Sequence, residues 1–429
     1  MGTYLILTFA VTAIMGFPVW AVLAASSFMA LEMASTTPLI VVVQRMFTAS
    51  DSFPLLAIPL FMVAGNLMET GGISRRLIDF CDALIGNVTG SLSMVGVLAC
   101  MFFGAISGSG PATVAAIGGI MIPSMVSAGY DKAYAAALMS AAGALGVIIP
   151  PSIAMVNFGI VGNVSIAAMF ASGFVPGILF ALTMMIVCYF MAKKYGYGVS
   201  GKKETSLRKV WQSFRSAIFS LLMPIVVLGG IYGGIFTPTE AAGVAVFMSF
   251  ITGMFIYKEL SFKQIPELLM KAGRSTAVIM MIIVAASGFG WIMTSERIPD
   301  VVAASITSIS SSKIVIMLII NIFLLIIGTF METTALIYIL TPILLPAAIH
   351  IGINPVHFGI IMITNLAIGM STPPVGVNLF VACGISKLSV EAIFKKIGWV
   401  LAANIAALLI ITYVEPIALI VPKLLGLIH

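Results

Sequence analysis

The sequence predicts an all-α polytopic membrane protein made of two inverted repeats, each with a re-entrant hairpin and a broken helix. Three observations predict it. First, the chain of 429 residues is 61% hydrophobic and 8% charged, whereas soluble domains carry about 25% charged residues. Second, a skeleton of helix breakers recurs at one spacing: Pro123, Gly129, Gly146 and Pro150-Pro151 stand 223 residues before Pro346, Gly352, Gly369 and Pro373-Pro374. Third, the basic residues are gathered into a few loops, and their net charge of +6 marks topology, not nucleic-acid binding.

About 20 apolar residues cross the hydrocarbon. Spans fall near 3–15 and 18–34, which read either as one long tilted helix or as two short ones turning at Gly16-Phe17-Pro18. An amphipathic stretch at 35–51 precedes a span at 53–72. The apolar excursion 92–128 follows, with Ser107-Gly108-Ser109-Gly110-Pro111 at its centre, then a span at 133–160 broken at Pro150-Pro151 and a span at 164–192. The second half repeats the order: spans 217–236 and 240–257, an amphipathic stretch 258–274, a span 276–294, an excursion 313–350, a span 355–382 broken at Pro373-Pro374, and a last span 398–421. The repeats are thus 1–192 and 217–429, joined by a cytoplasmic linker 193–216. Upstream, Gly65, Met68 and Ile73 match Gly290, Met293 and Ile298.

Each excursion is too long for one crossing. As a straight helix it would run about 55 Å, nearly twice the hydrocarbon thickness, and each holds helix breakers at its middle. A hairpin that enters and leaves on one side resolves both. Five spans plus a hairpin per half give an odd number of crossings, so the halves are inverted. The charges agree. Of the 21 Lys and Arg, all but Arg45, Arg297, Lys313 and Lys423 fall in loops assigned to one side. The positive-inside bias puts that side in the cytoplasm and both termini outside.

Hairpin tips and helix breaks leave backbone groups unpaired, which is tolerable at membrane depth only where they line a cavity or hold a ligand. The first tip offers Ser107, Gly108, Ser109 and Gly110, and its break offers Gly146, Pro150, Pro151 and Ser152. The second tip offers Thr329, Glu332, Thr333 and Thr334, and its break Gly369, Ser371, Thr372 and the proline pair. Hydroxyls and free carbonyls suit a small hard cation, and two related pairs imply two cation sites. Helix N-termini after the tips suit an anionic group between them. Glu332 reads as a proton carrier, a cation ligand or a hydrogen-bonding pin for its tip. Glu240 reads as a carboxylate at a helix N-terminus. Arg297 is a candidate to attract an anion, or else a partner of Glu296 and Asp300. Asn157 and Asn378, shortly after the two breaks, read as interhelical ties or substrate contacts. The four scattered cysteines read as small buried residues. The ATP-binding signature GxxxxGK[ST] is absent, as is any nucleophile–base set, so the chain does not read as an enzyme.

The tip Gly104–Gly118 (GAISGSGPATVAAIG), the break Gly143–Ile153 (GALGVIIPPSI), Phe236–Ala242 (FTPTEAA) and Asn365–Leu379 (NLAIGMSTPPVGVNL) resemble the large membrane subunit of the tripartite ATP-independent periplasmic (TRAP) transporters, over the whole chain. The nearest likeness is to its sialic acid branch. The resemblance implies a sodium-coupled importer of a carboxylate in a bacterial inner membrane. It implies partners too: a periplasmic binding protein, a small Q-type membrane subunit (separate here, since nothing precedes Met1) and membrane lipids. It also implies an ion-transporter-like elevator fold, in which hairpins and broken helices slide against a scaffold braced by arms 35–51 and 258–274. One sodium would sit among Ser107, Ser109, Gly146, Pro150 and Ser152, and another among Gly328, Thr329, Thr333, Gly369 and Thr372. Substrate would lie near Ser109, Thr113, Asn157, Thr334 and Asn378, with Arg297 as an outer attractant. Sialic acid (N-acetylneuraminate), a C4-dicarboxylate and other sugar acids are the substrates the family suggests. A passive channel and a membrane anchor are the alternatives from other classes.

Overall fold

Breakers in the sequence become the turns of the fold. The computed structural model describes residues 1–197, 206–310 and 312–428; the linker lysines Lys202 and Lys203 lie outside them. The first half runs α1 (Gly2–Ile14), α2 (Val19–Ala34), α3 (Ile40–Ser50), α4 (Ala57–Thr70), α5 (Ile73–Ile85), α6 (Ser91–Ser107), α7 (Gly110–Thr113), α8 (Gly119–Ser127), α9 (Lys132–Ala142), α10 (Leu145–Ile148), α11 (Ile153–Val161) and α12 (Ile166–Tyr195). The second runs α13 (Leu207–Tyr232), α14 (Pro238–Ile251), α15 (Ile265–Ser295), α16 (Ile298–Ile309), α17 (Lys313–Gly328), α18 (Thr333–His350), α19 (Pro355–Gly369), α20 (Val377–Ser386), α21 (Val390–Tyr413) and α22 (Pro416–Leu424). Among the described residues, eight helices are long and apolar enough to cross a membrane, or up to nine with the pair bent by 46° between Lys132–Ile148 and Ile153–Val161.

Several boundaries differ from the sequence reading. The first 34 residues are two helices folded on each other at Gly16, whose φ of 79° favours glycine. The stretch 258–274 is no separate arm: its last ten residues are the start of the continuous 31-residue α15. Nothing between 265 and 295 breaks that helix, because its one proline, Pro266, sits in the first turn, where no N–H is needed. The last span bends at Val414–Glu415, just before Pro416. Helices α5 and α16 were not read from the sequence, although the matched Ile73 and Ile298 begin them.

In each excursion the outgoing and returning segments come close together. Gly96 on α6 lies against Met121 on α8, its would-be Cβ 3.6 Å from Met121 Cε. Lys313, which opens α17, donates to the Gly352 carbonyl just past α18 at 3.1 Å. Loop contacts sort the two faces. On one, Arg76 pairs with Glu259 at 2.6 Å, Lys271 with Glu69 at 3.0 Å, and Tyr130 stacks on Tyr197 with centroids 4.8 Å apart. On the other, the Met1 ammonium meets Glu296 at 3.2 Å and Thr239 donates to the Phe53 carbonyl at 3.3 Å. The first face carries Arg76 and Lys271, two of the basic residues that the sequence analysis assigns to one side.

Candidate functional site

At the first tip, α6 stops because Gly108 turns left-handed (φ 60°), and Pro111 starts α7. Thr113 Oγ1 donates to the Ser109 carbonyl at 2.8 Å and lies 3.0 Å from Ser107 Oγ. Since the Thr113 proton is committed, Ser107 is the donor of that second bond. The break packs on this knot through glycine. A Cβ on Gly146 would stand 2.5 Å from both Ser109 O and Thr113 Oγ1, and one on Gly104 would stand 3.0 Å from Gly146 Cα. Pro150 has no N–H for the Gly146 carbonyl. Ile153 N–H closes the pair by donating to the Gly108 carbonyl at 3.3 Å.

The second tip and break repeat the plan. A Cβ on Gly369 would stand 2.5 Å from the Gly328 carbonyl carbon and oxygen. Val375 N–H donates to Thr329 O at 3.0 Å, the counterpart of the Ile153–Gly108 bond. Both Pro–Pro bonds are cis. Glu332 caps α18: Oε2 accepts from Ala335 N–H at 3.2 Å and Oε1 from Thr334 Oγ1 at 2.9 Å. Of its three readings, these bonds show the pin.

The two units are cross-tied. Asn157, after the first break, donates through Nδ2 to Thr334 Oγ1 at the second tip (3.5 Å). Asn378, after the second break, lies against the first tip: a Cβ on Gly110 would stand 2.9 Å from Asn378 Oδ1. Its Nδ2 donates to Ser140 O at 3.4 Å, an acceptor shared with Ser371 Oγ at 2.9 Å. Tips and breaks meet in a cleft of about 240 Å³ lined by Ser109, Pro111, Ile153, Glu332, Thr333, Thr334 and Met370, and closed by Met62 of α4 and Ser275 and Ile279 of α15.

The structure therefore brings Ser107, Ser109, Thr113 and Gly146 together at the first tip, and Gly328 against Gly369 at the second, with the Thr372 N–H donating to Gly369 O at 3.0 Å. At Gly146 the backbone packs directly on a carbonyl and a hydroxyl, so no side chain fits between break and tip. At the second tip Thr333 Oγ1 is buried without a hydrogen-bond partner. Some expected ligands are otherwise engaged. Ser152 Oγ donates to the Val147 carbonyl at 2.7 Å, the group that Pro151 leaves without an amide partner. The Pro150 ring packs on Gly173 of α12, and the carbonyl nearest the tip is that of Pro151, 3.0 Å from a would-be Cβ on Gly108. Thr372 Oγ1 donates to Ile368 O at 3.0 Å and Thr329 Oγ1 to Ile326 O at 2.8 Å, which leaves their lone pairs as the available donors. Arg297 is far from the cleft, past the end of α15, about 24 Å along that helix from Ile279. Its neighbour Glu296 is bonded to Met1 and to the Gly2 N–H at 2.8 Å. Sequence reasoning missed Met62, Ser275 and Ile279. Their only signal was small and apolar residues recurring at helical spacing, which helix packing also produces.

Paired tips and broken helices around a central cleft define an integral membrane permease, and comparison with solved structures agrees at the level of fold. The YdaH transporter of Alcanivorax borkumensis superposes with a TM-score of 0.59 over 97% of this chain and 100% of its own, at 13% identity. Residues 6–417 match the family model of the DctM component of tripartite ATP-independent periplasmic transporters, and the chain belongs to that family. It is 45% identical over 412 residues to an isethionate TRAP transporter permease, DctMQ, of Oleidesulfovibrio alaskensis, covering 95% of this chain and 64% of that one. It is 42% identical over 384 residues to the C4-dicarboxylate large permease DctM of Pseudomonas aeruginosa, covering 89% of each. To the sialic acid large permease SiaM of Vibrio cholerae it is 36% identical over 381 residues, again 89% of each.

Proposed function

We propose that this permease takes up a small organic acid in symport with sodium, across a bacterial inner membrane. A periplasmic binding protein hands it the acid, and a small Q-type subunit packs beside it. The observation that carries the reading is the pseudo-symmetric pair of tips and breaks closing on one cleft. The oxygen knots at Ser107–Thr113–Gly146 and Gly328–Thr333–Gly369 serve as two sodium sites. The acid lies between the tips, against Ser109, Thr334 and the cross-tying asparagines.

Each knot is split between a hairpin and a broken helix, so occupancy by sodium favours the arrangement in which both are docked. That arrangement is the one that shapes the cleft, which couples ion to acid. Hairpins and broken helices move as one body past α4 and α15, whose residues close the cleft without joining the knots. The hairpins are re-entrant, and the face rich in Lys and Arg is cytoplasmic, which puts both termini in the periplasm. Relatives named for isethionate and C4-dicarboxylate are more similar than the one named for sialic acid, which favours a small acid and gives the sialic acid branch no special support.

The test is uptake by the assembled transporter in proteoliposomes, with succinate, isethionate and N-acetylneuraminate offered in turn under an imposed sodium gradient. The reading expects uptake of at least one acid that stops when sodium is replaced by potassium. Uptake at the same rate in potassium contradicts it.

A further inference from the structure

One face of α15 borders three spaces in succession. On the basic-loop side, Glu267, Lys271 and Arg274 edge an opening of about 720 Å³ that ends at Ser275. Ser275 and Ile279 close the central cleft. Ile283, Ser287, Trp291 and Thr294 then line a cavity of about 540 Å³ toward the other face. Steps of three and four residues keep this stripe on one side of the helix.

That last cavity has one charged residue, Arg45 of α3, in its lining. Ser287 Oγ donates to the Arg45 carbonyl at 3.2 Å, which fixes α3 to α15, and the guanidinium carbon lies 6.0 Å from the Trp291 ring centroid. Thr48, Ser52 and Thr294 add hydroxyls. The opposite wall includes Tyr338, whose hydroxyl donates to Asn157 Oδ1 at 3.5 Å, and Asn157 in turn reaches Thr334 at the second tip. The central cleft is lined by Glu332 and by no cation. Arg45 is the cation in the lining of this cavity, beside a cleft whose own lining holds none. A cavity with apolar walls and a single guanidinium concentrates anions, and the guanidinium fork matches a carboxylate or sulfonate with two parallel bonds.

We propose that this cavity is a separate organic-anion site, in which Arg45 seats the carboxylate or sulfonate of an acid before it reaches the tips. The proposal rests on the chain being an organic-acid permease, and the test separates the two. In the assembled transporter in phosphatidylcholine liposomes, Thr48→Cys at the rim is labelled with a membrane-impermeant maleimide, with and without succinate, isethionate or N-acetylneuraminate. Uptake is measured in parallel.

The expected result is slower labelling with at least one acid. Arg45→Gln raises the half-protecting concentration roughly tenfold or more; Arg45→Lys raises it less, because it keeps the charge but not the fork. Leu424→Cys on the exposed last helix is not protected. Protection unchanged by Arg45→Gln overturns the proposal. So does slowing that follows added phosphatidylglycerol and not the acid, which assigns the cavity to a lipid headgroup. Uptake without protection sinks the site alone, protection without uptake sinks the import reading and keeps the site, and neither sinks both.

Discussion

Gly328 and Gly369 touch through their backbones: a Cβ on Gly369 would stand 2.5 Å from the Gly328 carbonyl. Gly104 and Gly146 make the same kind of contact in the first repeat, with a would-be Gly104 Cβ 3.0 Å from Gly146 Cα. Both pairs place a hairpin leg against its broken helix where neither side chain nor solvent intervenes. Since the obstructing atoms are backbone, Gly369→Ala forces hairpin and break apart. We expect a loss of about 1–3 kcal/mol in stability and a steep rise in the sodium needed for uptake. Gly384→Ala, on α20 with open space around it, is the matched control and leaves both unchanged. Thermal unfolding in detergent and sodium titration of uptake read the two effects.

Thr113 holds the first knot by donating to Ser109 O and meeting Ser107 Oγ. Thr113→Val keeps the shape and removes both side-chain bonds, while the Ser109 carbonyl keeps the Thr113 N–H at 3.1 Å, so the cost is about 0.5–1.5 kcal/mol. The expected outcome is a roughly tenfold or larger rise in half-saturating sodium, with Thr113→Ser close to wild type.

Glu332 caps α18 with both carboxylate oxygens. Removing such a cap costs about 1 kcal/mol. Glu332→Ala loosens the second tip, read as faster hydrogen exchange at Thr334 and Ala335. Glu332→Gln keeps an acceptor and exchanges at an intermediate rate. Equal exchange in all three proteins contradicts the pinning role.

The tie between the N-terminus and Glu296 is pH-dependent in a fixed direction. The Gly2 N–H, then the Met1 ammonium, hold the Glu296 carboxyl below the usual carboxylate range. A depressed folded-state pKa means the contribution is fully present above the ordinary glutamate value and lost as pH falls through the folded one. Hydrogen-exchange protection in α1, taken relative to the unstructured rate at each pH, is therefore constant down to mildly acid pH and falls only below the ordinary carboxylate range. Glu296→Gln shows the lower protection at neutral pH.

Much of this was legible in the residues because duplication repeats what the fold requires. The five breakers offset by 223 residues marked both breaks, and the helix breakers in the middle of the two long apolar excursions marked both tips. Helices α5 and α16 were missed because they are short and amphipathic, and a span-length window does not see them. The continuity of α15 was hidden by charged residues Glu267, Lys271 and Arg274 in its first turns, which read as a surface arm although a helix leaving the membrane carries the same pattern. Arg297 was singled out for its charge alone, and charge says nothing of distance to a cleft. Asn157 and Asn378 stood out as polar groups in broken helices. That each crosses to the other repeat's tip depends on the packing of the halves, which no local pattern encodes.

The central claim is that two hairpin–break knots bind sodium and together shape the acid's cleft. Sodium dependence of uptake in proteoliposomes, compared between wild type and the variants Gly146→Ala and Gly369→Ala, tests it most directly. The account predicts a cooperative sodium curve for wild type and a shift to higher sodium in each variant. A wild-type rate indifferent to sodium, or two variants that follow the wild-type curve, would contradict it.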